Sequence, residues 1–344
     1  MVIVRYRYIG SNVQIAMEQL WIDMAAVLAA AAPLVIAAMG ETLSERAGVI
    51  NLSLDGTMLL AAMTGFAVAF TTQNLILGFA AAALVGALVA AVLGVFSLTL
   101  GQSQTAVGFV LALLCTDLSS FLGAPFVRLP GPAVPFMPIP GLADLPILGP
   151  ILFRHDPVIY ASFLLVPATA YLLYSTRLGL IVRALGERPA AVYARGIDVT
   201  RWRYAMLILG GALVGIAGAA FSLDLKQGWS YRHTFGSGWI VLAIVIFGGW
   251  RPLRVALGCY LFAALEIVAT RSQSALPGIP TQMIQVAPFV FMILVLALVN
   301  LASSPTVARW IATLPSVWQR PLLVIVYRLR ATAPAALGQP FERP

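Results

Sequence analysis

Charge is scarce in this chain, and lysine, histidine and cysteine are scarcer still. Only 10% of its 344 residues are charged, where a soluble globular domain carries about 25%. There are two histidines, two cysteines and, among 21 basic residues, a single lysine, Lys226. That shortage excludes most catalytic constellations. No His-Glu-x-x-His pair, paired-cysteine motif or Gly-x-Ser-x-Gly elbow is present. Lys226 belongs to no Gly-x-x-x-x-Gly-Lys-Ser/Thr loop, so the chain lacks the phosphate cradle of an ATP-hydrolysing subunit. Cys115 and Cys259 both lie in apolar runs and read as small buried residues, without disulfide framework or metal spacing. No enzyme activity, metal site or cofactor of its own is expected. A signal peptide with a small-residue cleavage site is also lacking, so the first apolar run reads as a retained span.

What the chain has in abundance is apolar surface. Sixty per cent of its residues are hydrophobic and its mean hydropathy is +0.93. A soluble fold has no place for so much apolar area, whereas a bilayer accepts it on lipid-facing helices. Nine apolar runs fall at roughly 21–39, 49–70, 75–100, 105–123, 157–175, 204–223, 237–249, 253–270 and 282–301. The expected fold is all-α, a polytopic transmembrane helical bundle of about 8–10 spans. The run 237–249 is too short for a full crossing and reads as a broken or half-length helix. Residues 1–20 form an N-terminal segment, 21–301 the transmembrane domain and 302–344 a C-terminal tail.

The net charge of +8 would suit a nucleic-acid partner, but the arginines sit at the ends of apolar runs, where they orient a membrane protein. No nucleic acid is expected. Placing loop 176–203 in the cytoplasm, with Arg177, Arg183, Arg188, Arg195, Arg201 and Arg203, brings Arg46, Arg251, Arg254 and the tail to the same side. Fourteen basic residues then lie inside and seven outside, and the C-terminus is cytoplasmic. Arg5 and Arg7 oppose the outside N-terminus this implies; an even number of spans resolves the conflict.

Two non-spanning segments stand out. The loop 124–156 carries eight prolines between residues 125 and 150, which excludes a regular helix. It reads as an ordered extracytoplasmic loop, either a spacer or a docking surface. Residues 318–330 hold a short apolar core flanked by Trp318, Tyr327 and arginines, which fits a segment lying on the membrane surface.

Charges inside spans are expensive and usually face a protein interior or a water-filled path. Asp23, Asp55, Asp117 and Glu266 qualify. Asp23 also fits a membrane interface, while Asp117 is deep enough to need a partner. Asp55 follows Asn51 and Ser53 in a polar, glycine-containing stretch, which suits a broken helix lining a cavity. A simple helix cap by Asn51 or Ser53 explains the same residues. These acids have no basic residue at matching depth, a poor fit to an ion-coupled carrier. Neutral hydrogen-bonding and stacking groups at Gln102, Gln104, Phe109 and Trp239 suit an uncharged polar solute, or else helix packing and an interfacial belt. Gly210, Gly211, Gly215 and Gly218 form a small-residue stripe for close helix approach.

The loop segment Gly186-Glu187-Arg188-Pro189-Ala190-Ala191-Val192-Tyr193-Ala194-Arg195-Gly196 reads as a short helix of about two turns. Pro189 suits the first turn, Glu187 the positive helix end, and Gly196 the left-handed terminating position. Alanines and Tyr193 on its surface would slot into a groove on another protein.

This segment resembles the coupling loop of ABC-importer permeases of the branched-chain amino acid/ribose class, nearest to the simple-sugar and nucleoside permeases. The stretches Glu41–Gly56 and Gly238–Leu253 carry the resemblance at subfamily level, and together the similar segments reach from about residue 35 to 300. Asp55 stands where that family has a glutamate, and Gly101–Gln104 lacks its usual Asn-Gln opening. The resemblance implies a permease subunit in the inner membrane that forms the path for nucleosides or simple sugars. Its implied partners are an ATP-binding cassette subunit docked on residues 186–197, a second identical or homologous permease, and an extracytoplasmic binding protein. ATP and Mg2+ would be held by the cassette subunit. The competing readings are an ion-coupled secondary transporter of a small polar solute and a non-transporting membrane scaffold.

Overall fold

The computed structural model describes residues 2–234, 236–275, 278, 280–304, 307, 309, 311, 313, 319 and 332–341. The surface-lying segment expected at 318–330 therefore falls almost entirely outside the described residues. Helix α1 (Val2–Arg46) is followed by α2 (Leu54–Thr72), α3 (Leu75–Gly94) and α4 (Gln104–Gly123). Then come α5 (Pro157–Ser175), α6 (Arg177–Glu187), α7 (Pro189–Tyr193) and α8 (Val199–Ala220). The chain closes with α9 (Ser237–Phe247), α10 (Pro252–Ala275) and α11 (Thr281–Ser303). Among the described residues, seven helices are long and apolar enough to cross a membrane, and α9, at 11 residues, is the short one expected from the sequence. The nine apolar runs thus map onto α1–α5 and α8–α11. Helix α1 spans 45 residues, about 68 Å at 1.5 Å per residue, so it extends the first span well into the N-terminal segment.

Helix starts follow local chemistry. Asn74, Asp156, Thr176 and Asp198 each accept a backbone N–H of the first turn, at 3.2, 2.8, 3.0 and 3.1 Å, satisfying donors that no helical carbonyl can reach.

Helix α8 is the centre of the bundle, packed on α1, α2 and α3. Its glycine stripe explains why. Gly210 meets Gly40, Gly211 meets Gly86, Gly215 meets the Ala82 carbonyl, and Gly218 meets the Met58 carbonyl. A Cβ on Gly211 would come within 2.5 Å of the Gly86 carbonyl oxygen. The stripe therefore brings backbones into contact, and dispersion between them holds the helices where no hydrophobic force operates. A second apolar cluster joins α1, α8, α9 and α10 through Val35, Val214, Val241 and Cys259. Cys115 and Cys259 are both buried and unbridged.

At one end of the bundle the proline-rich loop folds back as the sequence implies, without a regular helix between Arg128 and Ile147. Arg128 N–H donates to the Trp229 carbonyl at 3.0 Å, and Val134 N–H to that of Leu223 at 2.9 Å. Gly131 sits directly on the Phe66 ring at the far end of α2. At the opposite end lie the junction of α1 and α2, helices α6 and α7, the start of α10 and residues 332–341. Of the arginines assigned together by alternation of spans, Arg46, Arg183, Arg251 and Arg254 line one cavity at this end.

Candidate functional site

The α1–α2 junction is a break in the helical path, built by its polar residues. Helix α1 stops at Arg46, Gly48 adopts φ +92°, and α2 begins only at Leu54. Asn51 Oδ1 accepts both the N–H and the hydroxyl of Ser53, at 3.1 and 2.5 Å. The Ser53 side chain makes no capping bond, so Asn51 closes a side-chain turn in place of the simple cap. Glu41 Oε1 accepts the Asn51 N–H at 3.2 Å, and Gln104 Oε1 accepts that of Ile50 at 2.9 Å. Glu41, Glu45, Asn51, Ser53 and Thr57 are all buried.

One turn on, Asp55 Oδ1 accepts the Gly238 N–H at 3.0 Å, joining the start of α2 to the first turn of α9. Trp239 follows on α9, and its ring centroid lies 6.3 Å from that of Phe109 on α4. Phe109 is 51% and Trp239 39% exposed, so both rings remain available at a surface whose neighbouring carboxylate is fixed. Asp55, Phe109 and Trp239 are therefore brought together from three helices. Asn51, Ser53 and Gln104 lie just behind them in the buried break. Gln102 is exposed and turned to its own Leu100 carbonyl at 3.3 Å. Asp117 lies on an exposed face of α4.

Two of the isolated acids have basic neighbours after all. Asp23 is ion-paired with Arg271 on α10. Glu266 lies close enough to Lys226 to act on its charge. Helix α10 and the loop after α8 supply these partners from more than 200 residues and about 40 residues away, respectively.

The segment 186–197 keeps its expected terminators but splits differently. Arg188, with extended φ of −147°, interrupts the helix, so Glu187 closes α6 and α7 is only five residues long. Pro189 occupies the first turn of α7, and Gly196 takes φ +78°. Val192 is buried and pins α7, while Ala190, Ala191, Tyr193 and Arg195 face outward.

Sequence reasoning missed what holds this segment. Gly186 packs on the Arg46 carbonyl, and its own carbonyl accepts the Ala336 N–H at 2.7 Å. Glu187 Oε2 accepts the Ala335 N–H at 3.3 Å, and the Gly48 carbonyl accepts that of Gly338 at 3.0 Å. Buried Arg203 donates to the Gln339 and Ala336 carbonyls at 2.9 and 3.5 Å. The Phe341 ring lies tilted against that of Tyr193, centroids 5.7 Å apart. Residues 332–341 thus form a strap across α6, α7, α8 and the α1–α2 break. Also missed was the pairing of Glu45 with the Trp250 indole, with Arg46 donating to the Trp250 and Gly249 carbonyls at 3.0 and 3.3 Å. A glutamate pair at i, i+4 closing an apolar run was the available signal for Glu41 and Glu45.

Residues 24–298 match the family described as branched-chain amino acid transport system / permease component. The chain belongs to this permease family. It is a multi-pass membrane transport component and not an enzyme. Over 253 residues the permease is 40% identical to a putative glucose ABC transporter permease protein of Haloferax volcanii, covering 72% of this chain and 77% of that one. It is 32% identical over 293 residues to a nucleoside ABC transporter permease protein of Lactococcus lactis, covering 81% and 92%. A guanosine ABC transporter permease protein of Bacillus subtilis is 32% identical over 289 residues, covering 79% and 89%. No solved structure matches the permease.

Proposed function

We propose that this permease forms the translocation path of an ABC importer for nucleosides or simple sugars in the inner membrane. An extracytoplasmic binding protein delivers the solute, and a separate ATP-binding cassette subunit, holding ATP and Mg2+, docks on residues 186–197. A second permease copy or homologue completes the path. The C-terminus lies in the cytoplasm, consistent with the basic face that carries α6, α7 and the strap.

The observation that carries the cargo reading is the grouping of Asp55, Phe109 and Trp239. A fixed carboxylate accepts hydroxyl or N–H donors, and flanking aromatic faces stack on a sugar ring or a base. The names of the relatives, a glucose and two nucleoside permeases, point to the same solute class. Coupling is supported by the contact chain from α7 through Gly186 to Arg46 and the α1–α2 break, and from there through Asp55 to α9. Movement of α7 would reach the aromatic pair through rigid, packed backbone.

The test is uptake of labelled guanosine, uridine and glucose in cells dependent on this permease. Trp239→Ala and Asp55→Asn should each lower uptake of the accepted solute at least about tenfold, the scale of one lost buried contact. Unchanged uptake in both variants would remove this grouping from the path.

A further inference from the structure

A cavity of about 540 Å3 opens between the ends of α1, α5 and α6 and the start of α10. The contact chain described above passes beside it but leaves it unused. Among the described residues, four guanidinium groups line it, from Arg46, Arg183, Arg251 and Arg254, with one carboxylate, that of Glu187. Two of the four are held in place by the frame. Arg46 is fixed by its bonds to the Trp250 and Gly249 carbonyls. Arg183 lies over the Tyr174 ring, 5.4 Å from its centroid, and its Nε donates to the Gly179 carbonyl at 3.4 Å.

Like charges gathered around a concave space repel, and in a partly desolvated site the repulsion is weakly screened. One carboxylate offsets only part of the charge of Arg46, Arg183 and Arg251 even with Arg254 left out of the balance, so an anion seated among these groups is favoured. Arginine forks match the geometry of phosphate oxygens, and the volume lies within the usual range for small-ligand sites. The cavity opens at the basic end of the bundle, where helix ends meet the headgroup layer. Leu253, 63% exposed, borders it and offers an apolar flank.

We propose that this cavity binds a phosphate-bearing anion, and that the headgroup of an anionic phospholipid is its occupant. Such basic pockets between spans suit anionic headgroups. The bound headgroup bridges α1, α6 and the start of α10, next to Glu187 of the 186–197 segment.

The test is native mass spectrometry of the full-length protein in mild detergent, titrated with phosphatidylglycerol, with phosphatidylethanolamine and, separately, with inorganic phosphate. One saturable phosphatidylglycerol should bind at least about tenfold more tightly than phosphatidylethanolamine. Arg183→Gln/Arg251→Gln should erase that preference. Arg177→Gln/Arg201→Gln, which removes the same charge from outside the cavity, should keep it. Displacement of the lipid by millimolar inorganic phosphate would support the site with a free anion as its occupant. Equal binding of the two lipids by the unaltered protein would overturn the proposal, and that comparison holds even if the cavity variant fails to fold. Unchanged phosphatidylglycerol binding by a folded cavity variant would overturn it equally.

Discussion

The Glu45 carboxylate accepts the indole N–H of Trp250, 205 residues further along the chain, and both side chains are buried. This bond ties the end of α1 to the turn before α10, and Arg46 reinforces it through two carbonyls of the same turn. Trp250→Phe should therefore strip the indole donor from a buried carboxyl whose other side-chain partner is Glu41, and cost about 1–3 kcal/mol. Glu45→Gln, whose amide oxygen still accepts the indole N–H, should cost less. Thermal unfolding of the two variants in detergent checks the order, and an equal loss would mean that packing and not the bond holds the junction.

The glycine stripe of α8 allows a sharper test. A Cβ at Gly215 would overlap the Ala82 carbonyl, where backbone and not a flexible side chain must give way. Gly215→Leu should therefore abolish recovery of monodisperse protein. The same change at Gly278, where a Cβ meets open space, should leave recovery unchanged. Size-exclusion profiles from matched preparations measure both.

The strap at 332–341 is held by backbone bonds and by buried Arg203. Arg203→Ala should release it and lower the ATP-driven uptake rate several-fold while leaving membrane insertion unchanged. Protease cleavage after release should begin within the tail, because bound strap carbonyls would become accessible. Tail protection equal to that of the unaltered protein would show that Arg203 does not hold the strap.

How far all this was legible from sequence depends on chain separation. Apolar runs specify spans, so α2 to α5 and α8 to α11 were readable, as was the short α9. Pro189 and Gly196 marked α7 because each residue alone restricts the backbone. Grouping Asp55, Phe109 and Trp239 required three helices to pack, although each was separately visible as a polar or aromatic residue in an apolar run. The strap was not legible. Two of its bonds are between backbone groups, which carry no sequence signature, and Arg203 and Glu187, which supply the others, look like ordinary charged loop residues. The partners of Asp23 and Glu266 were missed because Arg271 and Lys226 come from elements distant in sequence.

His233 lies in the loop between α8 and α9, beside Trp229. Burial, and then the charge of Lys226, push its pKa down to about 4, against a backbone hydrogen bond with Phe221 that raises it. Lys226, whose ammonium donates to the His233 carbonyl, is itself lowered by desolvation, and Glu266 partly restores it. Because the folded pKa lies below the ordinary value of 6.5, the unfolded chain takes up the proton first as pH falls. Stability from this group is thus complete above about pH 6.5 and is lost progressively toward pH 4. The melting temperature should drop by a few degrees over that window. His233→Gln, which cannot take up the proton, should show a flatter profile, and parallel profiles would exclude His233 as the source.

The central claim is that ATP hydrolysis elsewhere drives solute through this permease by way of residues 186–197. Its most direct measurement is uptake of labelled nucleoside and glucose into proteoliposomes holding the permease with its cassette subunit and binding protein, with and without ATP inside the cassette compartment. The unaltered protein should take up one of these solutes only with ATP. Replacing residues 187–193 by a Gly-Ser segment should abolish uptake while the protein still folds and inserts. Uptake that persists without ATP under an ion gradient, or that survives the replacement, would contradict the claim.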